Sequence, residues 1–249
     1  GYAVYDPIAS PDSRGLSITA LEVVSFLLGM CHSADHAASL LRSVRIVGAE
    51  DSVTHSIAPL HWIMADQSGK CLVAEKTADG LHIMENPIGV LANSPDLPWH
   101  LTNLRNYMNV TPDQPPEREW DSVKLTPFGQ GGGTFGLPGD YTSPSRFVRT
   151  AWLKSHTPIP ADRQAAVNTC FHIMNSVTIP KGAVMTSRGT PSYTQYTAFI
   201  DLSAKEYFFK TYDNSRITSA KLPSASGGDL KALPLVSLNK PTQFDRLEV

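Results

Sequence analysis

No stretch of the 249 residues approaches the roughly 18 consecutive apolar positions that a membrane-spanning helix requires. Neither sign of charge is in excess: 21 Lys and Arg stand against 23 Asp and Glu, for a formal net charge of −2. That balance excludes the electrostatic footprint of a protein that binds nucleic acid or an anionic membrane. Cysteine is scarce. Cys31, Cys71 and Cys170 are odd in number and far apart, which gives neither a disulfide framework nor a CxxC metal site. The chain opens at Gly1 without a Met, a basic n-region or an apolar leader. Gly1 to Tyr5 alternates like the end of a strand, so the sequence reads as a fragment or processed subunit whose preceding residues are missing. A cytoplasmic location is the working expectation for such a chain.

What is present is an ordinary globular composition, 41% hydrophobic and 18% charged, long enough for one large core or two small ones. Nineteen prolines and seventeen glycines mark many turns without the density of a disordered chain. From Ser17 to Val44 the apolar spacing is helical, with Leu21, Val24, Leu27 and Leu28 on one face and Ala37, Leu40 and Leu41 on another. Ser33 is the N-cap of the second helix. The period then changes. Leu60 to Ala65, Cys71 to Glu75, Leu81 to Met84 and Ile88 to Leu91 read as short strands joined by turns at Asp66–Gly69 and Ala78–Gly80, an antiparallel meander. Trp99 to Met108 reads as helix. Asn109 to Ser145 is a long Pro- and Gly-rich excursion, the kind of loop that carries function or reaches a partner. Arg146 to Leu153 and Asp162 to Met174 read as helices. Tyr193 to Leu202, Glu206 to Tyr212 and Arg216 to Lys221 read as strands, and the tail from Pro223 as an extended wrap. With no repeat and no linker, residues 1–249 read as a single α+β domain in layers, with two antiparallel sheets face to face and helices outside.

Several motifs invite chemistry. His32 and His36 lie at i, i+4 with Asp35 between them, the spacing that presents two imidazoles on one helical face. There is no HExxH glutamate and no evident third ligand, so capping and solvated polar residues explain the pair better than a metal. Gly129 to Gly136 is glycine-rich, but it lacks the Lys-Ser/Thr of a phosphate loop and reads as a flexible arm. Each cysteine reads as a small buried hydrophobe, and no serine is framed by a histidine and an acid. Asn175, before Ser176, reads as a helix C-cap in preference to an active-site polar group.

Two polar residues stand out. Asn93 follows the Val90-Leu-Ala92 run and precedes Ser94-Pro95, where a buried strand should be surfacing. Arg146 opens an apolar helical run (Phe147, Val148, Ala151, Trp152), although a cation at a helix start opposes the helix dipole. A carboxamide and a guanidinium at the mouths of core elements suit a developing oxyanion, or one another. Asn93 as a turn residue before Pro95, and Arg146 as the partner of Asp140 or of the C-terminus, are the structural alternatives.

Five segments, in order along the chain, resemble the penicillin V acylase and conjugated bile acid hydrolase (choloylglycine hydrolase) family of N-terminal nucleophile amidases. They are APLHWIMAD (Ala58 to Asp66), NPIGVLANSP (Asn86 to Pro95), GLPGDYTSPSRFVR (Gly136 to Arg149), NSVTIPKG (Asn175 to Gly182), and YTQYTAFIDL with EYFFKTYDN (Tyr193 to Leu202, Glu206 to Asn214). The resemblance implies an αββα four-layer sandwich, here N-terminally incomplete. It implies hydrolysis of linear, non-peptide amides such as penicillin V or conjugated bile salts through an N-terminal cysteine whose own α-amine accepts the proton. That cysteine, and the arginine and aspartate shortly after it, would precede Gly1. Asn93 matches the family asparagine that donates to the oxyanion, and Arg146 the arginine that closes the polar network around the nucleophile. Neither metal nor organic cofactor is implied. The partners implied are a small acyl amide and, through an assembly arm at residues 103–145, three further copies in a homotetramer. The polar segment Val47 to Ile57 favours an aryl- or alkyl-acyl substrate over a steroid. The rival expectation is a non-catalytic fragment or binding-only relative, since these residues carry no N-terminal nucleophile.

Overall fold

Residues 3–8, 15–52, 54–222 and 240–244 are described by a computed structural model, in two compact units, residues 1–156 and 157–249.

The first unit is organised around a meander of three strands, β3 (Trp62–Ala65), β4 (Cys71–Thr77) and β5 (Gly80–Glu85), following β1 (Ser17–Thr19) and β2 (Arg45–Val47), which pair parallel to one another. Central β4 reads as a continuous apolar run because helices cover both its faces. Leu72 and Ala74 belong to a cluster with α1 (Val23–Met30) and α2 (Ala34–Ser43), whereas Val73 points the opposite way, into a second cluster with Val90, Leu97, Phe147 and Ala151. Three of the four expected meander strands and both turns between them are present, with Gly69 and Gly80 at positive φ where a side chain would be strained. Ser33 caps α2, its hydroxyl accepting from the His36 amide at 3.2 Å.

Four expectations in this unit are corrected. Residues 17–19 are strand rather than helix, since Ile18 is buried opposite Ile46. In α1 the buried residues are Val23 and Leu27, while Leu21, Val24 and Leu28 are exposed. The run VVSFLLGM is apolar nearly all round, so periodicity could not select its inner face. Residues 3–5 form no strand, although the Val4 amide donates to Lys76 O at 2.9 Å and Asp6 joins Val47 in an isolated β-bridge. Ile88 to Leu91 is not a strand either. The buried Asn86 side chain donates to Val90 O and accepts from the Gly89 amide, both at 2.9 Å, which closes a turn in place of a ladder.

After that turn come α3 (Leu97–Asn103) and a 3₁₀ turn over Leu104–Tyr107, close to the expected helix. The excursion at 109–145 contains a small hairpin, β6 (Arg118–Trp120) and β7 (Val123–Leu125), that sequence reading missed. Close packing of backbone requires glycine at one position of its glycine run: a Cβ on Gly133 would collide with Asp113 O and lie 2.6 Å from Thr111 O. Helix α4 (Ser143–His156) ends the unit.

In the second unit, α5 (Arg163–Asn175) precedes an antiparallel sheet of β8 (Tyr196–Asp201), β9 (Glu206–Thr211) and β10 (Thr218–Lys221), in the order β10-β9-β8. Phe171 of α5 meets Phe199 of β8 edge-on at 4.6 Å between centroids, and Arg163 bridges Asp201 and Glu206 at 2.6 Å each. Asn175 is the last residue of α5 and its side-chain oxygen accepts from Lys210 of β9, so Ser176, not Asn175, is the capping position. The tail expected from Pro223 lies largely outside the described residues.

Candidate active site

The turn after β5 delivers Asn93 to the surface. Asn86 fixes the turn, Val90 anchors in the core, and the chain emerges through half-buried Leu91 and Ala92 to exposed Asn93 and Ser94. It then re-enters through Asp96, whose carboxylate caps α3 by accepting from the Trp99 amide at 3.0 Å. The buried Glu75 carboxylate, from β4, accepts from the Leu97 amide at 3.1 Å, using a donor that a helix start leaves without an internal partner.

Arg146 arrives from the first turn of α4. Its guanidinium donates to Asn93 Oδ1 at 2.6 Å through Nη2 and to Tyr141 O at 3.1 Å through Nε. The structure thus brings together the two residues singled out in the sequence, 53 positions apart. A guanidinium has only donors, so it must face the carboxamide oxygen. The Asn93 Nδ2 group is thereby turned outward, and it donates to no partner among the described residues. Burial, with a smaller contribution from Arg149, pulls the Arg146 pKa below its ordinary value.

Of the two alternative partners for Arg146, the C-terminus lies outside the described residues and Asp140 is otherwise engaged. Asp140 accepts from Ser145 Oγ at 2.6 Å and from the Thr142 amide at 2.8 Å, while Arg149 donates to Asp140 O at 2.8 Å. The Ser145 and Thr142 bonds hold the Asp140 carboxyl well below its usual range, at about 2. A folded-state pKa below the unfolded value means a contribution to stability that is complete above about pH 4 and fades as pH falls towards 2. Asp140→Asn is therefore expected to lower the urea midpoint at neutral pH, and the gap from wild type should close on titration to about pH 2. A gap that stays constant down to that pH would show that the carboxylate's charge is irrelevant to the start of α4.

The other candidates are not brought to this point. Cys31 and Cys71 are half-buried and Cys170 is exposed, which corrects the reading of all three as buried hydrophobes. Burial pushes each thiol's pKa up, whereas a reactive cysteine needs it lowered. His32 and His36 face one another with 3.2 Å between their Nδ1 atoms, and no third metal-binding group joins them among the described residues. No helix is long and apolar enough to cross a membrane among those residues. Buried Glu75, which anchors the start of α3, and buried His100, whose Nε2 lies 3.0 Å from Asn93 O, were missed. Neither sits in a motif, and the only signal was a carboxylate inside an apolar strand.

The family model for linear amide C–N hydrolases, choloylglycine hydrolase family, matches residues 2–227. The chain belongs to the choloylglycine hydrolase family. It is similar to a bile salt hydrolase/transferase of Lactiplantibacillus plantarum, 35% identical over 222 residues that make up 89% of this chain and 67% of that protein. A bile salt hydrolase/transferase of Clostridium perfringens is 34% identical over 236 residues, 92% of this chain and 71% of that protein. The crystal structure of a mutant conjugated bile acid hydrolase from Clostridium perfringens superposes with a TM-score of 0.85 at 29% identity, covering all of this chain and 74% of that one. Penicillin V acylase from Agrobacterium tumefaciens shares the fold, with a TM-score of 0.66 at 19% identity over 88% of this chain and 60% of its own. This choloylglycine hydrolase family chain is thus α+β with the N-terminal nucleophile hydrolase fold, in a family whose chemistry is linear amide C–N hydrolysis.

Proposed function

We propose that the intact protein hydrolyses the amide bond of conjugated bile salts or of penicillin V by acyl transfer to an N-terminal cysteine. In this reading the thiolate attacks the amide carbonyl and the Asn93 Nδ2 group donates to the oxyanion that forms. The C–N bond then breaks, the amine leaves with the proton taken from the thiol, and water hydrolyses the thioester. Arg146 holds Asn93 with its donor outward and adds positive potential beside the developing charge. The observation that carries the reading is the 2.6 Å contact of Arg146 with Asn93 Oδ1, in a chain of this family. Bile salts are favoured by relatives named as bile salt or conjugated bile acid hydrolases at 32–35% identity. The polar segment from Val47 to Ile57 gives little support to a smaller acyl group, because some of its polar atoms bond one another, Thr54 N to Asp51 at 2.7 Å and Ser56 Oγ to Thr54 at 3.0 Å.

The test is amine release from glycine-conjugated bile acids and from penicillin V by the intact protein, beside the 249-residue chain alone. Turnover of at least one substrate by the intact protein, and none by the chain alone, is expected. Folded intact protein that cleaves neither would favour the binding-only reading, which the raised pKa of all three thiols makes the natural second choice.

The same reading extends to a homotetramer joined through residues 103–145. The excursion exposes Trp120, Phe128 and Phe135 around a groove of about 520 Å³ shared with Pro115, Pro116 and Leu125. Large apolar side chains gathered in this way mark a contact surface.

A further inference from the structure

We propose that His100 is a positioning residue for the reaction, holding the main chain of Asn93 so that its carboxamide meets the oxyanion in register. The inference rests on Asn93 being the oxyanion donor, as proposed above.

Asn93 is clamped at two places. Its side-chain oxygen is held by Arg146 and its main-chain oxygen lies 3.0 Å from Nε2 of His100. A carbonyl oxygen only accepts, so Nε2 carries the proton and donates. The imidazole is completely buried and stacked on Phe147, with 4.5 Å between centroids and 13° between planes. The Trp99 ring stands edge-on to it at 5.5 Å. Burial lowers its pKa, against the opposing pull of the Asn93 carbonyl, Glu75 and Asp96, which favours the neutral ring. With Nε2 protonated, Nδ1 presents a lone pair, and it has no hydrogen-bond partner among the described residues. A core position filled only for packing would not keep an orphaned buried nitrogen, since an apolar side chain fills the same space without that penalty. Among the described residues, the one hydrogen bond of the ring goes to the residue that would touch the oxyanion.

The helix that carries His100 is itself fixed. Its amide donates to Asp96 O at 3.1 Å, and Glu75 anchors the helix start through Leu97. The ring therefore ties a rigid helix to a segment that otherwise lies exposed. An oxyanion donor works only if it is already in place when charge develops, and a displacement of about 1 Å can cost about 100-fold in rate.

His100→Gln and His100→Met of the intact protein test this, because Gln and Met have similar shape and only Gln retains the donor. Gln is expected to keep kcat near wild type. Met is expected to lose about 10- to 100-fold in kcat with KM little changed and an unchanged circular dichroism spectrum. On an Asn93→Ala background the Met substitution should cost nothing further. Equal losses in Gln and Met, or a Met loss that adds fully to that of Asn93→Ala, would overturn the assignment. Should the Met variant not fold, His100→Leu takes its place, and a Gln variant as impaired as Asn93→Ala would by itself overturn it. If Asn93→Ala turns over normally, the fault lies with the reading of Asn93 and the role of His100 falls with it.

Discussion

Asn93→Ala in the intact protein is expected to lower kcat about 10²- to 10³-fold, the range typical for loss of one side-chain oxyanion donor. The substitution removes an exposed carboxamide whose outward Nδ2 group bonds nothing among the described residues, so the fold should not suffer. Only the Arg146 guanidinium loses a partner, and it keeps Tyr141 O. The effect should fall on kcat more than on KM, because the oxyanion exists in the tetrahedral state and not in the bound substrate. Asn93→Asp is a useful companion. Its carboxylate would still accept from Arg146 but would repel the developing charge, so it should be at least as impaired as alanine. Unchanged turnover in Asn93→Ala, with amide substrates cleaved at the wild-type rate, would remove Asn93 from the mechanism.

The largest effect on stability is expected at Phe147. Its side chain is fully buried in the cluster with Val73, Val90, Leu97 and Ala151, and its ring supports His100. Phe147→Ala deletes a ring from a site bounded by a strand and two helices that cannot easily collapse, so a loss of about 3–5 kcal/mol is expected. Urea unfolding of the intact protein measures it. Because Arg146 precedes Phe147 and His100 stacks on it, the same substitution should loosen both holds on Asn93. Activity should therefore fall below wild type even at temperatures where the variant is folded. A loss under about 1 kcal/mol, far outside the usual range for Phe→Ala in a core, would mean that this cluster does not bind the meander to α3 and α4 as described.

The meander was legible in the sequence because its turns carry glycines at positions that need positive φ, and because its strands are short apolar runs between them. Helices α2, α4 and α5 were legible from spacing and, for α2, from the cap Ser33, whose side chain accepts from His36; that Asp162 caps α5 by accepting from Ala165 came only with the structure. Where the apolar pattern had no direction the reading failed. Helix α1 is apolar nearly all round, so of its expected inner face only Leu27 is buried, and Ile88 to Leu91 has strand composition but is bent into a turn by the Asn86 side chain. Those outcomes depend on groups distant in the chain or on a side chain that competes with the ladder, and no local window contains them.

The site shows the same division. Asn93 and Arg146 drew attention because each breaks a local rule, a polar group surfacing from an apolar run and a cation at a helix start. His100 breaks no rule that a sequence window can detect, and Glu75 shows only as a carboxylate inside an apolar strand. What the residues alone determined is which groups are chemically able to act, since donor type, charge and position along an element are local properties. Only the tertiary structure decided that Arg146 would turn the Asn93 carboxamide outward while His100 holds its main chain, because both contacts are made by packing β5, α3 and α4 around one core.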